Sequence, residues 1–165
     1  MHISLEQAQT IINAAHARAG ALGIRITVAI VDDGGHLQAL ARMDGAFPVS
    51  SQIAEAKAVG AAMWHRDGAA LRTACEERPQ FFAQVDRLVR TPLMPALGSV
   101  VLRRDGQVFG AVGVSGASGE EDFECAQAGL QAGGFAGGDE RSSSGEGCPH
   151  PHVHQTHVNS HERNG

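Results

Sequence analysis

The chain has no tyrosine, one tryptophan and six phenylalanines, so aromatics make up only 4% of its 165 residues. Alanine and glycine carry much of the apolar content, and the elements are expected to pack closely with few bulky side chains between them. Three cysteines, Cys75, Cys125 and Cys148, are scattered and odd in number, which speaks against a disulfide framework. A reducing, cytoplasmic setting is then the default expectation. No stretch approaches the roughly 20 apolar residues of a membrane span. The opening MHISLEQAQT also lacks the basic and apolar regions of a signal peptide. Positive charge is scarce: 13 Lys and Arg against 18 Asp and Glu give a net charge of −5, with no basic footprint for nucleic acid.

The length favours one domain, and composition divides the chain near Gly133. Residues 1–133 carry apolar periodicity. Residues 134–165, from GFAGGDERSSSGEG onward, are rich in glycine, serine, charge and then histidine, and are expected to form a disordered tail. Within the domain, Ser4 and Gln7 make a capping box ahead of a stripe of Leu5, Ala8, Ile12, Ala15, Ala19 and Leu22, with Gly23 placed to end the helix. IRITVAIVD alternates as a strand with one strongly apolar face, Asp33-Gly34-Gly35 supplies a tight turn, and HLQALARM returns as its partner. Helices are expected over about Ser50 to Met63 and Gly68 to Cys75. A second hairpin turns at Arg104-Asp105-Gly106, and a last helix follows the capping box Ser118/Glu121. The order helix, hairpin, helices, hairpin, helix predicts an α+β fold, an antiparallel β-sheet flanked by helices.

Several stretches carry chemistry. VDDGGHLQALARMDGA puts Asp32, His36, Arg42 and Asp44 on one hairpin. It reads either as a hairpin with polar ends or as a ligand site, with Arg42 clamping a carboxylate and His36 ligating metal or haem iron or moving a proton. GVSGASGEED offers backbone N–H groups near Ser115, but Glu120, Glu121 and Asp122 in the helix's first turn repel a nucleotide phosphate. Lys57 reads as an anion partner or as an ordinary exposed helix lysine. His65 in MWHRD either lines a pocket or finishes a helix, and RPQFF reads as a lid or an oligomer contact. His16 borders the apolar stripe of the first helix. In the tail, His150, His152, His154, His157 and His161 could take a divalent transition metal, although their spacing matches no structural zinc module.

Taken together, VDDGGHL, RMDGA, EAKA, DGQVFGAVGVSG and DFECAQAGL resemble the GlcG/HbpS-like family, which includes haem-binding proteins and the C-terminal domain of PduO-type proteins. The resemblance covers approximately residues 3–133. It implies an α+β domain assembled into homo-oligomers, with a small ligand, haem in several members, near subunit surfaces. By position it assigns Asp32, Gly34, Gly35 and His36 to the family's first turn, Arg42, Met43, Asp44 and Gly45 to the next motif, Lys57 to the helix lysine, and Gly113, Ser115, Gly116 and Asp122 to the last junction. Two departures stand out: the family's Gly-Gly-x-Pro segment is Gly98-Ser99-Val100-Val101 here, and Phe123 follows Asp122 where an acidic residue is common.

Three functions are therefore expected. One is an oligomeric small-molecule binder, for haem or a similar carboxylate-bearing ligand, using His36, Arg42, Asp44, Lys57, Ser115, His16 and His65. Another is an isomerase, hydratase or hydrolase of small organic acids or aromatic breakdown, with His36 and Asp44 or Asp122 exchanging protons and Arg42 holding the carboxylate. The third is a structural oligomer whose histidine-rich tail stores metal.

Overall fold

The computed structural model describes residues 2–137, so the five tail histidines lie outside the described residues. Helix α1 (Leu5–Leu22) starts from the complete Ser4/Gln7 capping box and ends at Gly23. Strand β1 (Thr27–Asp32) pairs antiparallel with β2 (Leu37–Arg42) and, on its other side, with β4 (Gln107–Ser115). Strand β3 (Ser99–Arg104) pairs with β4, giving a four-stranded antiparallel sheet in the order β2-β1-β4-β3. Between the hairpins lie α2 (Ser50–Trp64), α3 (Gly68–Glu77) and α4 (Pro79–Asp86), and α5 (Gly119–Ala132) closes the fold. Among the described residues, no helix is long and apolar enough to cross a membrane.

The central strands are covered on both faces. On one, Ile26, Val28, Ile30, Val112 and Val114 meet α1 and α5 through Ile11, Ala15, Cys125 and Ala126. On the other, Ala29, Val31, Val101 and Ala111 meet Ala54, Ala58, Ala61 and Ala62 of α2. The expectation of one apolar face on β1 is thus too narrow: Thr27 to Val31 are all buried. On its second face Thr27 and Ala29 read as polar or neutral in the sequence, although α2 covers that face together with Val31. A Cβ on Gly113 would stand 2.1 Å from the Ala54 carbonyl oxygen and 2.7 Å from the Ala58 amide nitrogen, so α2 rests on bare β4 backbone.

Two further features go beyond the outline drawn from the sequence. RPQFF is part of a helix: Pro79 opens α4 at a position that needs no amide hydrogen. Phe81 and Phe82 then join Trp64 at centroid distances of 6.1 and 4.7 Å. The ordered chain also runs past Gly133. Phe135 is buried beside Phe109, Arg104 stacks on Phe135 at 4.4 Å, and Ala136 bridges to Arg103 on the edge strand β3. Asp67 covers the same edge by accepting the Val101 amide hydrogen at 2.8 Å.

The close contact under α2 carries a direct test. Gly113→Ala should lower the free energy of unfolding by about 3 kcal/mol, read as a reduced urea midpoint, because backbone rather than a flexible side chain must give way.

Candidate functional site

The polar residues gather at the two ends of the sheet. At the end where β1 begins and β4 stops, Lys57 reaches from α2 to the Val114 carbonyl oxygen at 2.9 Å and the Asp122 carboxylate at 3.1 Å. Both side chains are nearly inaccessible, at 7% and 3% exposure. The other Asp122 oxygen accepts the Ala117 amide hydrogen at 3.0 Å. Burial pushes the Asp122 carboxyl above the ordinary carboxylate range, against the opposing pull of the Lys57 ammonium and these hydrogen bonds. Gly98 holds φ +101°, and a Cβ there would lie 2.8 Å from Asp122 Cβ and 3.0 Å from Lys57 Nζ. Beside this cluster, Thr27 and Ser50 share a 2.6 Å hydroxyl contact, and Ser50 donates to the Phe47 carbonyl at 2.5 Å. Lys57 is therefore not an exposed helix lysine, and Asp122 faces its ammonium rather than capping the helix in solvent.

The opposite end carries the β1–β2 turn. Asp32 Oδ1 accepts the amide hydrogens of Gly34 and His36, each at 2.9 Å, and the His36 Nδ1 lies 3.2 Å from both Asp32 oxygens. Burial opposes ionisation of Asp32, but these hydrogen bonds and the imidazole outweigh it and hold its pKa below the ordinary value. His36 is 83% exposed in its side chain. It borders a cavity of about 420 Å³ whose wall includes Val59, Met63, Trp64, Leu88, Val89 and Arg90. The outer wall is the segment after α4, fixed where Asp86 accepts the Leu93 amide hydrogen at 2.7 Å. A second cavity of about 380 Å³ continues along α2 past Arg90, lined by Val49, Ile53, Pro92 and Met94 among others.

The structure does not bring the expected residues into one group. His36 precedes β2 and Arg42 ends it, so His36 lies on the order of 20 Å from Arg42 and Asp44 along the strand. Arg42 donates to the Ala46 carbonyl at 3.0 Å, and Asp44 is exposed beyond it. Ser115 is buried opposite Thr27. Thus Arg42, Asp44, Lys57, Ser115 and Asp122 belong to one end of the sheet, and His36 to the other. A proton pair of His36 with Asp44 or Asp122 is not assembled within the chain. His65 caps α2 at φ 51° with its carbonyl accepting from Arg103, while its neighbours Met63 and Trp64 line the cavity. His16 is half-buried, with Nε2 3.2 Å from the Ala41 carbonyl oxygen. Burial lowers its pKa, only partly opposed by that hydrogen bond, so the neutral imidazole is favoured. Arg90 and Leu88 were not singled out from the sequence, because nothing in the segment after RPQFF signals that it folds back on α2.

Comparison with known proteins fits this architecture. The family model described as haem degrading protein HbpS-like matches residues 3–131. Protein GlcG of Escherichia coli strain K12 is 36% identical over 114 residues, covering 68% of this chain and 81% of GlcG. Among solved structures, a PduOC–haem complex has 28% identity and a TM-score of 0.72, covering 84% of this chain and 98% of that one. A double mutant of HbpS from Streptomyces reticuli has 29% identity and the same TM-score of 0.72, covering 79% of this chain and 86% of that one.

Two outcomes follow from the geometry. Lys57→Met strands a buried carboxylate and should cost about 3–5 kcal/mol, whereas Lys57→Met with Asp122→Leu should recover much of that loss, as read by urea unfolding of all members of the cycle. For His16, the folded state disfavours the charged ring, so the unfolded chain binds more protons below pH 6.5. Stability should therefore fall as pH drops from about 6.5 toward 5, and His16→Gln should flatten that slope in unfolding midpoints taken across the range.

Proposed function

This chain belongs to the HbpS-like family, and from that membership we propose that it binds haem, or a closely similar ligand with an apolar body and carboxylates, in a homo-oligomer. The observation that carries the reading is His36 at the rim of the apolar cavity beside α2, with Arg90 on the same wall. The donor set suits haem in three respects. The Nδ1 of His36 is held by Asp32, which orients the ring and leaves Nε2 for a metal ligand. Val59, Met63, Trp64, Leu88 and Val89 supply an apolar wall for a flat macrocycle. The Arg90 guanidinium can pair with a propionate in two-point fashion. Bound haem would contribute the iron centre, while the protein's part is to ligate, orient and shield it. The exposed apolar side chains of Met63, Leu88, Val89 and Met94 around the cavities favour burial against another copy of the chain, which fits the homo-oligomer.

A second position is favoured by one observation. His16 is an imidazole kept neutral by burial and oriented by the Ala41 carbonyl, beside the partly covered edge strand β2. Haem carried there would leave the α2 cavity free.

Hemin titration separates these positions when the full chain carries alanine at His150, His152, His154, His157 and His161. The expected result is a saturable Soret band at one haem per chain that His36→Ala removes and His16→Ala leaves intact. Arg90→Ala should weaken binding about tenfold, the worth of one charge-assisted hydrogen bond. A band lost only in His16→Ala moves the ligand to the α1 position, and a chain that shows no saturable band does not bind haem.

A further inference from the structure

We propose that His2, Asp32 and Asp33 form a binding site for a divalent transition-metal ion at the tip of the β1–β2 hairpin, separate from the cavity beside α2. His2 is brought to the turn from the far end of the sequence, and its Nδ1 lies 2.5 Å from Asp33 Oδ1. One donor atom from each of the three residues lies within 4.8 Å of the other two. With metal–ligand bonds near 2.1 Å, adjacent donors stand about 3 Å apart, so side-chain rotation suffices to admit an ion.

The backbone under these side chains is fixed by the core rather than by the cluster. Ile3 is buried at 3% exposure and donates its amide hydrogen to the Phe109 carbonyl at 3.2 Å, which anchors His2 beside the sheet. Asp32 ends β1 opposite Gly110, the residue after Phe109. Its Oδ1 serves the turn through Gly34 and His36, whereas Oδ2 has a described contact only with His36 Nδ1. Ligation through that oxygen would leave the two backbone hydrogen bonds of the turn intact. His2 is 72% exposed and Asp33 30%, so water can reach both and complete the coordination sphere.

One imidazole and two carboxylates are a hard-to-borderline donor set, suited to zinc, iron(II), manganese or cobalt rather than to a thiolate-seeking ion. The site differs from the histidine-rich tail in using residues that the fold positions. It shares Asp32 with the haem reading, where that carboxylate orients His36, but neither His16 nor the free nitrogen of His36 takes part.

Co²⁺ is the probe, added to the full chain with alanine at the five tail histidines and serine at Cys148. The expected result is uptake of one equivalent by calorimetry, with a visible ligand-field band. His2→Gln and Asp33→Asn should each weaken binding at least tenfold while leaving the circular dichroism and the unfolding midpoint in EDTA unchanged. No Co²⁺ uptake by the parent, or parent-like affinity in either variant, overturns the site. Since no hemin is present, these outcomes stand apart from the fate of the haem reading.

Discussion

A single buried ammonium ties the two helical layers together. Lys57 leaves α2 on one face of the sheet, passes the end of β4 and meets Asp122 of α5 from the other face. An ammonium removed from water is tolerated only when charge and hydrogen bonds replace its hydration. The Val114 carbonyl and the Asp122 carboxylate do so, and the Ala117 amide completes Asp122. Gly98 completes the arrangement by its missing side chain, since a Cβ there would strike both partners. This clamp also sets the rotation of α2. With Lys57 at the sheet end and the alanines on the sheet, Ile53, Val59 and Met63 face the segment after α4, and the cavities lie between them.

The poverty in aromatic and large aliphatic side chains has its reason in the same contact. A helix whose backbone rests on Gly113 cannot carry more than alanine on its inner face. Dense packing then comes from short approach distances rather than from large side chains. The bulk that remains is placed elsewhere: Phe109 and Phe135 close the edge near β3, and Trp64, Phe81 and Phe82 hold α3 and α4 to the end of α2.

Much of this fold was legible from sequence because its signals are local. The two capping boxes form as Ser4/Gln7 and Ser118/Glu121, and the glycine-rich turns join the strands. α4 was missed because eight residues give too little periodicity to distinguish a helix from a loop. Phe135 reads as part of the tail because one phenylalanine among glycines carries no pattern, while its partners Phe109 and Arg104 lie about thirty residues earlier. The site was less legible still. Motif order showed that His36, Arg42 and Asp44 are close in sequence, but strand geometry converts eight residues into opposite ends of a sheet. Lys57 reads either as an anion partner or as an exposed lysine because a helix with alanine all round does not reveal which face a single lysine occupies.

The distribution of spare bonding capacity supports the proposal that a ligand meets the hairpin tip rather than the clamped end. At the clamped end, the groups nearest the buried ion pair are already committed: Lys57 and Asp122 to each other, Ser50 to Thr27 and Phe47, Arg42 to Ala46. A ligand recruiting Lys57 or Asp122 there would have to leave the other charge buried without its partner, a loss comparable to a large share of a domain's stability. At the tip, Asp32 orients His36 through one nitrogen and leaves the other outward, beside an apolar wall that water covers poorly. Binding at that end adds contacts without breaking any that hold the two helical layers on the sheet. The residues that make the fold rigid and those that can meet a ligand are thus segregated, and β1 is the rigid strut between them.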